Sequence, residues 1–82
     1  MKCRNKHIQS WLEAMGWTKS GKTGTYVTAA GESRMYVVMV RPAGVTHKME
    51  GRVFQLLAKA EAARKESRDP QPFVAQAKAL LS

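Results

Sequence analysis

The segment Thr25-Tyr-Val-Thr-Ala-Ala-Gly-Glu-Ser-Arg-Met-Tyr-Val-Val-Met-Val40 decides the fold. Two runs rich in β-branched and aromatic residues flank a polar break, Gly31-Glu32-Ser33, which is the pattern of a β-hairpin. Met35–Val40 is an unbroken apolar run of strand length, too short to span a membrane. Side chains alternate along a strand, so Val27, Ala29, Met35, Val37 and Met39 fall on one face. That face is purely apolar and suits a core. Tyr26, Thr28, Arg34 and Tyr36 fall on the other, together with Val38 and Val40. The valine end of this second face is expected to be covered by a loop, a helix or a partner. Pairing Val27 with Val37 requires an odd loop such as Gly31-Glu32-Ser33, whereas a two-residue turn would mix the faces.

Outward from the hairpin, the chain reads as helices. Over residues 5–15, Ile8, Trp11, Leu12 and Met15 recur at i, i+3, i+4 and i+7, one apolar stripe. Asn5 is placed to cap its start. Gly16 is placed to end it in the left-handed conformation, with Trp17 folding back on Leu12. A short strand around Trp17–Lys19 would add a third strand to the hairpin. Arg41-Pro42-Ala43-Gly44 stops the last strand.

Thr46 is placed to cap a second helix running to about Ser67, with Met49, Val53, Leu56, Leu57, Ala60 and Ala63 as its buried face. Gly51 weakens its first turn by roughly 1 kcal/mol against alanine. Glu61 and Lys65 form a favourable i,i+4 pair. Asp69 followed by Pro70 starts a short third helix with Phe73, Ala77, Leu80 and Leu81 inward, docking near Phe54. The expected fold is α+β: an N-terminal helix, a two- or three-stranded antiparallel meander, a long helix and a short C-terminal helix. It is read as a single small basic domain over residues 1–82.

Charge narrows the function. Fourteen lysines and arginines against six acids give a net +8 on 82 residues, with a pI near 10.2. Residues 1–48 hold eight basic and two acidic side chains, net +6, and residues 49–82 hold six and four, net +2. Such a field attracts polyanions: nucleic acid, anionic lipid or an acidic protein surface. Cys3 is the only cysteine, so no internal disulfide forms, which fits a reducing cytoplasm. No apolar signal region follows the basic N-terminus and no stretch has the length of a membrane span.

Four motifs carry candidate chemistry. Gly16-Trp-Thr-Lys-Ser-Gly-Lys-Thr23 matches G-x-x-x-x-G-K-[ST] and resembles the Walker A loop of nucleotide triphosphatases. That loop works between a strand and a helix, whereas here a helix precedes and a strand follows. The stretch therefore reads as a basic hairpin loop in which Lys19, Lys22 and the backbone amides touch phosphate. Lys48, Arg52, Gln55 and Lys59 form a mostly basic stripe on the second helix, suited to a groove and equally typical of a solvated face. Tyr26, Tyr36 and Arg34 on an open sheet face suit base stacking, though tyrosine is also common in half-buried strands. Cys3 and His7, with His47 distant, read as mobile N-terminal residues rather than metal ligands. No nucleophile–base set or carboxylate pair emerges, and no cofactor is expected.

The order helix, Gly16-Trp17, Gly-rich turn, hairpin, helix resembles the HicA-type toxins over Ile8 to about Ala60. That family implies a small α-β-β-β-α fold similar to double-stranded-RNA-binding domains. It carries a histidine, implicated in RNA cleavage, in the Gly-rich segment entering the hairpin. Here that segment is Lys22, Thr23, Gly24 and Thr25. The resemblance therefore extends to the layout and not to the cleavage.

The expected function is non-enzymatic nucleic-acid binding by a cytoplasmic protein. Phosphate contacts come from Lys19, Lys22, Arg34, Arg41, Lys48, Arg52 and Lys59, with Tyr36 beside them. The alternative is an inhibitor or adaptor, of the kind phages and mobile elements encode. It would dock on an acidic protein through Tyr36, Val38 and Val40. An RNase toxin is the remaining reading.

Overall fold

A computed structural model describes residues 1–82. The fold is α+β, with three helices and a three-stranded antiparallel sheet. The elements run β1 (Lys2–Cys3), α1 (Lys6–Ala14), β2 (Thr18–Val27), β3 (Ser33–Val40), α2 (His47–Lys65) and α3 (Gln71–Ala79). They divide into two compact units, Met1–Pro42 and Ala43–Ser82.

In the first unit β3 lies at the centre of the sheet, between β1 and β2. The third strand is not Trp17–Lys19. Trp17 is buried in the core, Thr18 and Lys19 already belong to β2, and the extra strand is β1. Lys2 pairs with Val38 and Cys3 with Val37. One residue earlier, the Met1 ammonium donates to the Met39 carbonyl at 2.8 Å, and the Met39 N–H donates to the Met1 carbonyl at 2.7 Å. The N-terminal residues, expected to be mobile, are thus built into the sheet. The backbone groups on that edge of β3 find partners there instead of water.

The hairpin closes on Ala29-Ala30-Gly31 rather than on Gly31-Glu32-Ser33. The Thr28 N–H donates to the Glu32 carbonyl at 2.9 Å, and Val27 stands opposite Ser33, not Val37. Gly31 has φ +81°, and a three-residue hairpin loop requires that left-handed residue at its last position. The loop is still odd, so face membership survives the slip in register.

The apolar face is only partly core. Met39 is buried and Val37 half-buried, while Val27 and Met35 are 71% and 66% exposed. Helix α1, nine residues and about 13 Å long, is far shorter than ten-residue β2, about 33 Å, so the hairpin tip extends beyond it.

Helix α1 starts and stops as its sequence requires. The Asn5 side chain accepts from the His7 and Ile8 amides, at 2.8 and 3.0 Å. At the other end Gly16 has φ +98°, its N–H donates to Glu13, and the Trp17 N–H donates to Leu12, the two bonds of a Schellman cap. Cys3, Ile8, Leu12, Trp17 and Met39 are the buried residues of this unit.

The second unit is a pair of packed helices. The Thr46 hydroxyl accepts from the Met49 N–H at 3.1 Å and caps α2. Val53, Leu57, Ala60 and Ala63 are buried, and so is Glu61, which pairs with Arg64 at i+3 where the i+4 spacing had suggested Lys65. The Asp69 carboxylate accepts from the Gln71 N–H at 2.9 Å and starts α3. Val74 and Ala77 are its buried residues. Leu80 is 37% exposed, and Phe73 and Leu81 are half-buried. Phe54 is 40% exposed. No helix of the chain is long and apolar enough to cross a membrane.

Candidate nucleic-acid interface

The sheet brings two tyrosines and two cations to one face of the first unit. Register places Lys2, Tyr26, Arg34, Tyr36 and Val38 on the same side. Tyr36 stands opposite Gly24, and its ring lies across that glycine. A Cβ built on Gly24 would fall 2.3 Å from the Tyr36 hydroxyl oxygen and 2.4 Å from Cζ. The missing side chain is what makes room for the ring over the strand. Lys2 Nζ sits 5.1 Å from the Tyr36 centroid, and the Arg4 guanidinium carbon sits 4.8 Å from the centroid of Tyr26. Both are cation–π distances. Both rings are half-buried, while Lys2 and Arg4 are exposed.

Arg34 on this face is held by Glu32 at 2.5 Å, so its charge is largely answered within the hairpin. Lys2 and Arg4 are not among the site residues that the sequence suggests, because a two-residue strand has no periodicity to reveal it. The signal was present: basic residues alternate about Cys3 immediately before a helix cap.

A second basic feature interrupts β2. Lys19 faces Met39 and Thr23 faces Val37, so Ser20, Gly21 and Lys22 together stand against Val38 alone. This is a bulge in which Gly21 takes φ +85° and the Lys22 N–H donates to the Ser20 hydroxyl at 3.1 Å. Lys19 and Lys22 are exposed. The stretch matching the Walker pattern is therefore strand and bulge, following a helix, and it forms no loop capped by a helix N-terminus. Arg41, just past β3, is also exposed.

Beside Tyr36, a cleft of about 170 Å³ lies among Cys3, Asn5, Lys6, Gln9 and Met35. Cys3 closes its inner side. Burial pushes the thiol's pKa up, and Sγ donates to the Asn5 carbonyl at 3.3 Å. No three His, Cys, Asp or Glu side chains come together here or elsewhere in a metal-holding group.

In the second unit Lys48, Arg52, Gln55 and Lys59 are all exposed on α2. At about 100° per residue they occupy an arc of roughly 60°, spread along some 16 Å. The two acids of the helix, Glu50 and Glu61, lie about 150–170° away round the axis. They pair with His47 at 3.9 Å and with Arg64. Lys19, Lys22, Lys48, Arg52 and Lys59 thus stand outside the ion pairs that engage Arg34, Arg64 and Arg68.

No family model, curated protein or solved structure matches this chain.

Proposed function

We propose that this protein binds nucleic acid without acting on it chemically, through the phosphate backbone. The observation that carries this reading is the set Lys19, Lys22, Lys48, Arg52 and Lys59, five exposed cations engaged by no carboxylate on a chain of net +8. Such charges attract a polyanion over a Debye length and release its counterions on contact. Lys2, Arg4 and Arg41 add to the field of the first unit.

Fluorescence anisotropy with labelled DNA and RNA, at two salt concentrations, tests the proposal. Affinity should fall with salt, with a log–log slope near −0.9 per phosphate neutralised on duplex DNA and about −0.7 on single strands. No binding at low salt overturns it.

A second reading, docking on an acidic protein, is favoured by Val27 and Met35, which are large, apolar and exposed at the hairpin tip. Nuclease-resistant capture of one stoichiometric protein, abolished by Met35→Ser, would favour it over the first.

A further inference from the structure

We infer that the tyrosine face of the first unit takes unpaired bases, so that the nucleic acid held there is single-stranded. This deepens the nucleic-acid reading above and rests on it. The Tyr36 ring occupies the space that a Cβ on Gly24 would fill. Lys2 Nζ lies over this ring, 5.1 Å from its centroid, and Tyr26 is engaged in the same way by Arg4 at 4.8 Å. Both cations are exposed on flexible stems.

Tyr26 and Tyr36 occupy diagonal positions across β2 and β3. Diagonal neighbours on a sheet lie roughly 7–8 Å apart, wider than the 3.4 Å or so between stacked bases of one strand. Two successive bases would therefore splay, one to each ring.

Stacking of a base on an aromatic ring is stronger than an exposed cation–π contact, so a base displaces the cation rather than the reverse. The displaced Lys2 and Arg4 heads then lie where a backbone phosphate follows each base. They serve as lids over the rings in the free protein and as phosphate contacts in the bound one. A duplex cannot use this surface, because its base faces are already stacked on each other. It would meet only the charges.

The test compares labelled oligothymidine and oligouridine of about twelve nucleotides, within the span such stacking surfaces cover, with a mixed-sequence duplex of the same length. Tyr26→Leu and Tyr36→Leu keep an apolar side chain in each half-buried site, and Tyr36→Phe keeps the ring; circular dichroism checks that each folds. Each leucine variant should weaken single-strand binding by about 5- to 150-fold, with duplex affinity unchanged and the phenylalanine variant near wild type. If the leucine variants bind single strands as well as wild type, while Lys19→Ala and Lys22→Ala weaken them, the inference is overturned and the nucleic-acid reading stands. If polyglutamate displaces oligothymidine and binds the tyrosine variants as well as wild type, charge alone accounts for binding and the inference again fails. If no nucleic acid binds at low salt, both readings fall.

Discussion

In Met1–Pro42 the cations sit on a sheet ordered by partners distant in the chain. Met1 bonds to Met39, and Lys2 and Cys3 pair with Val38 and Val37. In Ala43–Ser82 they sit on a helix whose every backbone bond closes within a few residues. The first unit has seven basic and two acidic residues, net +5, and the second has seven and four, net +3. The sign is shared but the information differs. A basic stripe on α2 follows from spacing alone and would exist on any helix with that sequence. A lysine over a tyrosine that lies on a glycine exists only because tertiary pairing put three remote residues together. Positive charge alone therefore marks the contact surface of the second unit, whereas in the first aromatic surface comes with it.

The comparison breaks first at the core. If the order of the first unit depends on long-range packing, Trp17→Ala should destabilise it by about 3–5 kcal/mol. Trp17 is 2% exposed and its backbone closes the cap of α1. Denaturant titration followed by the fluorescence of Trp11, the remaining tryptophan, reads this unit specifically. A loss under 1 kcal/mol would mean that the sheet does not rely on that residue.

Next in size is the contact between Gly24 and Tyr36. Gly24→Ala should cost roughly 1–3 kcal/mol, the usual range for overpacking, because its Cβ would collide with the ring. In a Tyr36→Ala background the same substitution should cost little, and the double-mutant cycle should return most of the penalty as coupling. Additive effects would show that the ring does not lie on the glycine.

These two sites also mark where sequence reading succeeds and fails. Alternation along the hairpin was legible because its period is two and its loop is odd. Tyr26, Arg34 and Tyr36 were therefore correctly separated from Val27, Val37 and Met39. The register was not, since a polar break does not say which of its residues takes positive φ, and only Gly31 does so. Strand β1 was invisible because two residues show no periodicity and their partner lies some 35 positions away. Without β1, Lys2 and Arg4 had no reason to be grouped with the tyrosines. The α2 stripe was fully legible, as helical spacing is. The burial of Glu61 was not, because accessibility is a tertiary property.

A smaller effect compares the helix ends directly. Both α1 and α2 stop in a Schellman cap. In α1 the left-handed residue is Gly16, and in α2 it is Ser67, with φ +59° and the Arg68 N–H donating to Ala63. A side chain in this conformation costs about 1–2 kcal/mol. Gly16→Ala should therefore destabilise by about that much. Its Cβ also approaches Pro42 Cγ to 3.4 Å. Ser67→Gly should stabilise by up to about 1 kcal/mol. Thermal melts at 222 nm measure both, and equal signs would refute the shared-cap assignment.

The smallest effect is a pH dependence confined to β1. Cys3 is buried and its thiol pKa is raised, chiefly by burial. The fold thus favours the neutral thiol. That preference is fully present below the unfolded-state value, about 8.5, and is lost as pH rises through the higher folded value. Stability should fall with alkaline pH more steeply in the wild type than in Cys3→Ala. Taking the difference between the two isolates the contribution of the thiol. The same geometry keeps Sγ from alkylating reagents while Cys3 is paired with Val37. Iodoacetamide at neutral pH should react at the rate of an unfolded control reduced by the fraction of time β1 is out of the sheet, since only an exposed thiolate attacks. Labelling as fast as the control would mean that the N-terminal strand is not docked. The cations over the tyrosines would then lose the backbone that places them.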